Sequence, residues 1–164
     1  ERAADGPNPP VLIRAVAQGS GPNVQGGMVM PILMRDDYLT FPSAHVASTL
    51  YERAGLGPTD IDVAQIYDCF TITALMTLED YGFAKKGQIA DFVKGGNIEI
   101  GGELPMNTSG GLLSETGMPG MQLVQEGVRQ MRGDATLQVK NAKHCIISNQ
   151  GGVMHTHATL ILGQ

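Results

Sequence analysis

The chain contains no apolar run approaching the roughly 20 residues that a membrane-spanning helix needs, so no membrane span is predicted. Positive charge is scarce: 11 Lys and Arg stand against 16 Asp and Glu, a formal net charge of −5. Phosphate backbones are bound by clustered Lys and Arg, which excludes nucleic acid as the main partner. Cysteine is scarce as well. Cys69 and Cys145 lie in different apolar contexts and make no metal-ligand spacing, so the reading is no metal site and reduced thiols in a cytoplasmic protein. No secretory signal pattern opens the sequence. Charged residues are few, yet apolar content is ordinary, which argues against disorder. The 164 residues suffice for one domain with its own core.

What the chain does have is glycine, 22 residues of it, about double the usual share. The most informative stretch is Asn107-Thr108-Ser109-Gly110-Gly111-Leu112-Leu113-Ser114. Paired glycines let a backbone approach a ligand or another backbone closely, because no Cβ intervenes. Taken alone, this is a tight turn before a helix. Two further segments point to a site: Ile66-Tyr67-Asp68-Cys69-Phe70-Thr71, and the run from Asn149 through Gly151-Gly152 to His155 and His157. Each borders an apolar, strand-like run.

The first residues read as a helix tail and a Pro-rich connection, Gly6 to Pro10, as expected of a piece of a longer polypeptide. Residues 11–17 make a strand stopped by Gly and Pro. Residues 23–40 are loop-like and include an apolar segment, Met28 to Met34, expected to contact another polypeptide. A helix is predicted over 42–54, with Ala44, Ala47, Leu50, Tyr51 and Ala54 on its apolar face. A buried strand follows at 61–67. The helix at 70–82 has Ile72, Leu75, Met76 and Leu78 inward and Glu79 and Asp80 on a solvated face. A short helix is expected at 88–94 and a longer one at 120–132. Strands are expected at 136–139, 144–148 and 156–162. This order implies an α/β fold with a layered sheet. Tyr67, Asp68 and Cys69 then fall at the carboxyl end of a strand, where such sheets build ligand sites.

In this order, Tyr67-Asp68-Cys69-Phe70-Thr71, Glu79 to Phe83, Gly101-Gly102-Glu103-Leu104-Pro105, Asn107 to Ser114, Gly151-Gly152 and the terminal Thr159 to Gly163 run resemble one family. They are similar to the C-terminal half of the thiolase superfamily, in its sterol-carrier-protein-x and lipid-transfer-protein branch, and the resemblance covers essentially the whole chain. It implies a thiolase-like layered fold of two βαβαβαββ halves, this chain being the second. It implies an acyl-coenzyme A thioester as substrate and no cofactor bound by this chain. The implied partners are an N-terminal thiolase half, a second copy in a homodimer, and a small OB-fold protein with a zinc-ribbon element.

The departures matter as much. The branch's thiolases have His where Tyr67 stands, their activating His would fall at Gly117, and Asn149 to Gly152 replaces their final Cys-x-Gly loop. The related aldolases, which cleave β-hydroxyacyl-coenzyme A esters by a retro-aldol reaction, carry Tyr at the position of Tyr67. Their second Tyr would fall at Gly117, where this chain has none.

Residue by residue, Tyr67, Cys69 and His155 are the expected catalytic groups. Asn107, Ser109, Gly110, Gly111, Gly117, Gly151, Gly152 and His157 are the expected substrate-binding ones. A Tyr donates a proton to a developing alkoxide or enolate, or takes one from a hydroxyl, if its neighbours lower its pKa; packing is its common role. Asp68 is expected to cap the following helix, and Asn107 and Ser109 to shape their turn through side-chain bonds. Cys69 carries the family's acid/base role, while Cys145 is inert packing. His155 and His157 are assigned to opposite faces of the last strand, with His155 toward the site. Glycine-turn amides are the expected oxyanion donors. The favoured activity is a retro-aldol lyase. The alternatives are thiolase-type acyl transfer, with its nucleophilic Cys upstream, and a non-catalytic binding or assembly subunit.

Overall fold

The computed structural model describes residues 2, 4–21, 36–115, 120–152 and 154–164. The Met28–Met34 segment and Gly117 lie outside these residues. Four strands form one mixed sheet: β1 (Leu12–Ser20), β2 (Val63–Ile66), β3 (His144–Gly151) and β4 (Thr156–Gly163). Their order is β1-β4-β3-β2, with β1 and β3 antiparallel to β4 and β2 parallel to β3. The helices are α1 (Pro42–Ala54), α2 (Thr71–Asp80), α3 (Ile89–Lys94) and α4 (Met121–Arg132).

Pro42 starts α1, where a missing N–H costs nothing and the fixed φ suits the first turn. Val46, Ala47 and Leu50 of α1 and Ala74 and Leu78 of α2 pack with Ala15, Ala17, Ala64, Ile66, Ile146 and Ile161 on one face of the sheet. On the other face Leu123 and Met131 of α4 meet Val63, Cys145, Ile147 and Leu162. All four residues of β2 are buried, the pattern of a parallel strand covered on both faces. Its outer edge is closed by Pro105–Asn107: the Ala64 amide donates to Pro105 O at 3.0 Å and the Asn107 amide to Ala64 O at 2.9 Å. The fold is α/β with a layered sheet, as the sequence implies, and Met106 adds an isolated parallel bridge to Ala64 at the edge of β2.

Three expectations fail here. Residues 136–139 are not a strand, because side chains take up backbone groups there. Gln130 Nε2 donates to Leu137 O at 2.8 Å, and the Val139 amide donates to Gln130 Oε1 at 3.0 Å, tying the segment to the end of α4. Ile72 points outward at 60% exposure, since the inner stripe of α2 runs through Thr73, Ala74, Thr77 and Leu78. Asp80 is not on a solvated face. Its carboxylate accepts from the Ser43 hydroxyl and the Phe41 amide and pairs with Lys86, which fixes the start of α1 against the end of α2.

Candidate active site at the carboxyl end of β2

Tyr67 carries the β2–β3 pairing one residue beyond the strand, its amide donating to Ser148 O at 2.9 Å. Beyond it the chain leaves the sheet and meets the 107–111 turn. Asn107, held at φ 49°, closes on β2: its Oδ1 accepts from the Ile66 amide at 2.8 Å and its Nδ2 donates to Ile66 O at 2.9 Å. The carboxamide thus replaces a strand partner at the end of the strand. The Gly110 amide donates back to Asn107 O at 2.8 Å, so that amide is already committed inside the turn and is no free oxyanion donor.

Asp68 does not cap α2, whose N-cap is Phe70 with no side-chain bond. Its carboxylate is drawn across to the turn instead, where it accepts from the Leu112 amide at 3.0 Å. Gly111 permits this approach. With φ at +70°, a Cβ there would lie 2.1 Å from Asp68 Oδ2, inside any tolerable contact. Gly111 therefore marks a close approach between two segments of the site, whereas Gly110 faces Ser114 within its own turn.

Cys69 is exposed, and Gln150 Nε2 donates to its sulfur at 2.9 Å. Gln150 Oε1 accepts from the Met154 amide at 2.5 Å, so one carboxamide links the thiol to the turn between β3 and β4. Sequence reasoning noted the Asn149 to Gly152 loop but not Gln150, because a carboxamide in a glycine-rich loop carries no motif. Partial burial is the main cause that raises the Tyr67 phenol above its ordinary pKa; Cys69 and Asp68 add to the shift. The shift runs opposite to the lowering expected of a proton-transferring Tyr, because partial burial and two acidic neighbours disfavour the phenolate, and Tyr67 holds its proton at neutral pH. Its ring packs against the α4 side of the sheet.

The other expected site residues are placed as follows. Ser109 Oγ is shielded and bonds to no described residue. Gly151 ends β3, and Gly152, at φ 56°, continues the turn in which the His155 amide donates to Gly151 O at 3.1 Å. The assignment of His155 and His157 to opposite faces is wrong, since strand side chains repeat every second residue. Both are buried. His155 packs its ring beside Gly21 and near Pro42, the first residue of α1, and its carbonyl accepts from the Gly21 amide at 2.8 Å. His157 is paired between Gly19 and Gln150. The strand preceded by His155 lies two positions from β2 in the sheet. The structure thus joins Tyr67, Asp68, Cys69, Asn107, Gly111 and Gln150, and it puts the His155 ring in the α1 layer.

Beneath the sheet the Tyr81 hydroxyl meets Ser148 Oγ at 3.0 Å and Thr159 Oγ1, and burial pushes its phenol up to about 12. Burial likewise raises the Cys145 thiol well above its ordinary value, in keeping with inert packing. Among the described residues no cluster of three His, Cys, Asp or Glu side chains could hold a metal ion, and no helix is long and apolar enough to cross a membrane.

The sequence model of thiolase C-terminal domain-like proteins matches residues 27–164. The chain belongs to this family. Among its relatives, a steroid side-chain-cleaving aldolase of Thermomonospora curvata is 40% identical over 164 residues, covering 99% of this chain and 41% of the relative. An acetyl-CoA acetyltransferase of Methanothermobacter thermautotrophicus is 33% identical, covering 94% of this chain and 40% of the relative. The solved structure of an Ltp2-ChsH2(DUF35) aldolase superposes with a TM-score of 0.90 at 39% identity, over 99% of this chain and 41% of that one. The chain therefore spans about two-fifths of the length of these thiolase-superfamily relatives.

Proposed function

We propose that this thiolase-like domain is the second half of an acyl-coenzyme A carbon–carbon lyase that cleaves a β-hydroxyacyl thioester by a retro-aldol reaction. The observation that carries the reading is Tyr67, protonated and partly buried at the end of β2, beside the exposed Cys69. The similarity to aldolases supports it. In the reaction the β-hydroxyl loses its proton and the Cα–Cβ bond breaks. Its electron pair passes into the thioester as an enolate, and Cα takes up a proton. The products are a ketone or aldehyde and a shortened acyl thioester.

Tyr67, which holds its proton at neutral pH, is assigned the acid in this sequence, donating to the developing enolate, with the basicity of the enolate rather than a lowered phenol pKa driving the transfer. Cys69, whose sulfur is oriented by Gln150, is assigned the proton of the β-hydroxyl. His155, turned toward Gly21 and Pro42, is assigned no step. Asn107 and Gly111 shape the wall of the acyl-thioester site, with Gly151 and Gly152 at its far rim. An N-terminal half completes the site, and the assembly is a cytoplasmic homodimer with a small OB-fold, zinc-ribbon protein.

The test is product analysis of the complete natural polypeptide with a panel of β-hydroxyacyl-coenzyme A esters. A carbonyl product together with a shortened acyl thioester is expected, and Tyr67→Phe is expected to lower kcat by about 10²–10⁴-fold with little loss of stability. Acyl transfer that requires free coenzyme A would replace this reading with a thiolase. Turnover of no thioester at all would leave a binding or assembly subunit.

A further inference from the structure

Behind the 107–111 turn lies a polar cluster that the proposed chemistry does not use. Gln65 of β2, Thr108 of the turn, and Glu126 and Gln130 of α4 are all at most 5% exposed. The Thr108 hydroxyl donates to Glu126 Oε1 and accepts from Gln65 Nε2 at 3.0 Å and Gln130 Nε2 at 2.9 Å. Gln130 Nε2 is shared with Glu126 Oε1 at 3.0 Å, while Gln130 Oε1 accepts from the Val139 amide.

A carboxyl group at 3% exposure is an expensive choice on the buried side of α4, which also carries Leu123 and Met131 as well as Gln122 and Gln130. Lys86–Asp80 is the one ion pair among the described residues, so no described cation offsets Glu126. Apolar packing alone would be served better by Leu or Met. What the carboxyl supplies is a fixed acceptor that sets the Thr108 hydroxyl. Thr108 adjoins Asn107, which clamps Ile66, and Gly111, against which Asp68 rests. A continuous series of contacts runs from α4 through the turn to the residues flanking Tyr67.

We infer that Glu126 is a positioning residue for the Tyr67–Cys69 site, acting through Thr108 on the 107–111 turn. The catalytic part of this inference rests on the lyase reading; the positioning part does not. The test compares Glu126→Gln, which keeps an acceptor oxygen and the same size, with Glu126→Leu, which removes the acceptor, both in the complete natural polypeptide. Amide hydrogen exchange is read at Ile66, Gly110 and Leu112, with Ile146 and Ile161 as references in the sheet.

In Glu126→Leu, exchange at Ile66, Gly110 and Leu112 is expected to quicken at least about 10-fold more than at Ile146 and Ile161. Its kcat is expected to fall about 10- to 100-fold with KM little changed, as for a displaced catalytic group. Glu126→Gln restores both to near the parent values. Should Glu126→Leu not fold, Thr108→Val removes the same bond from the other side, and the same local acceleration is expected. Equal acceleration at all five amides, or equal damage from Gln and Leu, overturns the inference. If the parent protein cleaves no β-hydroxyacyl thioester, the lyase reading fails, and the exchange pattern still decides whether Glu126 holds the turn.

Discussion

Replacing Gly111 by Ala should damage the site out of proportion to the single methyl group added. The residue sits at φ +70°, and an L side chain in that region costs about 1–2 kcal/mol. The new Cβ would fall 2.1 Å from Asp68 Oδ2 and 3.2 Å from Asn107 Nδ2. The carboxylate must therefore withdraw, and the Leu112 amide loses its acceptor. A hydrogen bond to a charged group contributes about 1.5–3 kcal/mol. Because Asp68 is only half-buried, the low end applies. The sum is a destabilisation of about 2–4 kcal/mol. Gly87 supplies the control: its φ is +80°, and nothing lies within 4 Å of a Cβ built there. Gly87→Ala should show the backbone strain alone, about 1–2 kcal/mol. Urea unfolding of both variants, and of Gly111→Ala combined with Asp68→Ala, separates the two contributions. The double variant should be markedly less destabilised than the sum of its parts, because Asp68→Ala removes the group struck. The reasoning is refuted if Gly111→Ala is no worse than Gly87→Ala and the pair is additive.

Stability should fall as pH rises above about 10: unfolded tyrosine loses its proton there, while folded Tyr81 keeps its own up to about 12. Over that window the unfolded state binds fewer protons, so unfolding is favoured by up to about 3 kcal/mol. Tyr81→Phe should flatten the alkaline limb of a denaturation series, and an unaltered limb would contradict the assignment. Brief iodoacetamide treatment of the native protein should label Cys69 and spare Cys145, read by peptide mass spectrometry; equal labelling would show that the burial of Cys145 is wrong. Leu50→Ala, at a side chain with no exposure in the α1 layer, should lower stability by about 2–5 kcal/mol by calorimetry or urea titration. A smaller effect would mean that α1 is loosely packed.

The helices at 42–54, 71–80, 89–94 and 121–132 were legible because each carries its signal locally: an apolar period, a proline at the start, or a glycine just past the end. The strands around 12–20, 63–66, 144–151 and 156–163 were legible for the same reason. What escaped depends on partners distant in sequence. Asp68 looks like a helix cap until Leu112, 44 residues away, is seen to claim it. Asp80 looks solvated until Ser43 arrives beneath it. Residues 136–139 have a strand's composition, yet the carboxamides of Gln130 and Gln138 satisfy backbone groups that a neighbouring strand would have taken. Ile72 was misplaced by little more than a quarter-turn of helix phase. The two histidines failed for a plainer reason, a miscounted strand period. In the candidate site, Tyr67 and Cys69 stood out because they sit in a motif, and Gln150 and Glu126 did not because neither does.

The pairing of β1 with β4 also governs when the fold can close. The hydroxyls of Ser20 and Thr156 meet at 2.9 Å although 136 residues separate them. β4 lies inside the sheet, between β1 and β3. On the ribosome β1 emerges well before β4 and has no partner in this sheet until β4 follows. At about 5–20 residues per second that interval is roughly 7–27 s. During it β1 lacks the strand that completes its edge, so the yield of native protein should depend on how well that interval is chaperoned.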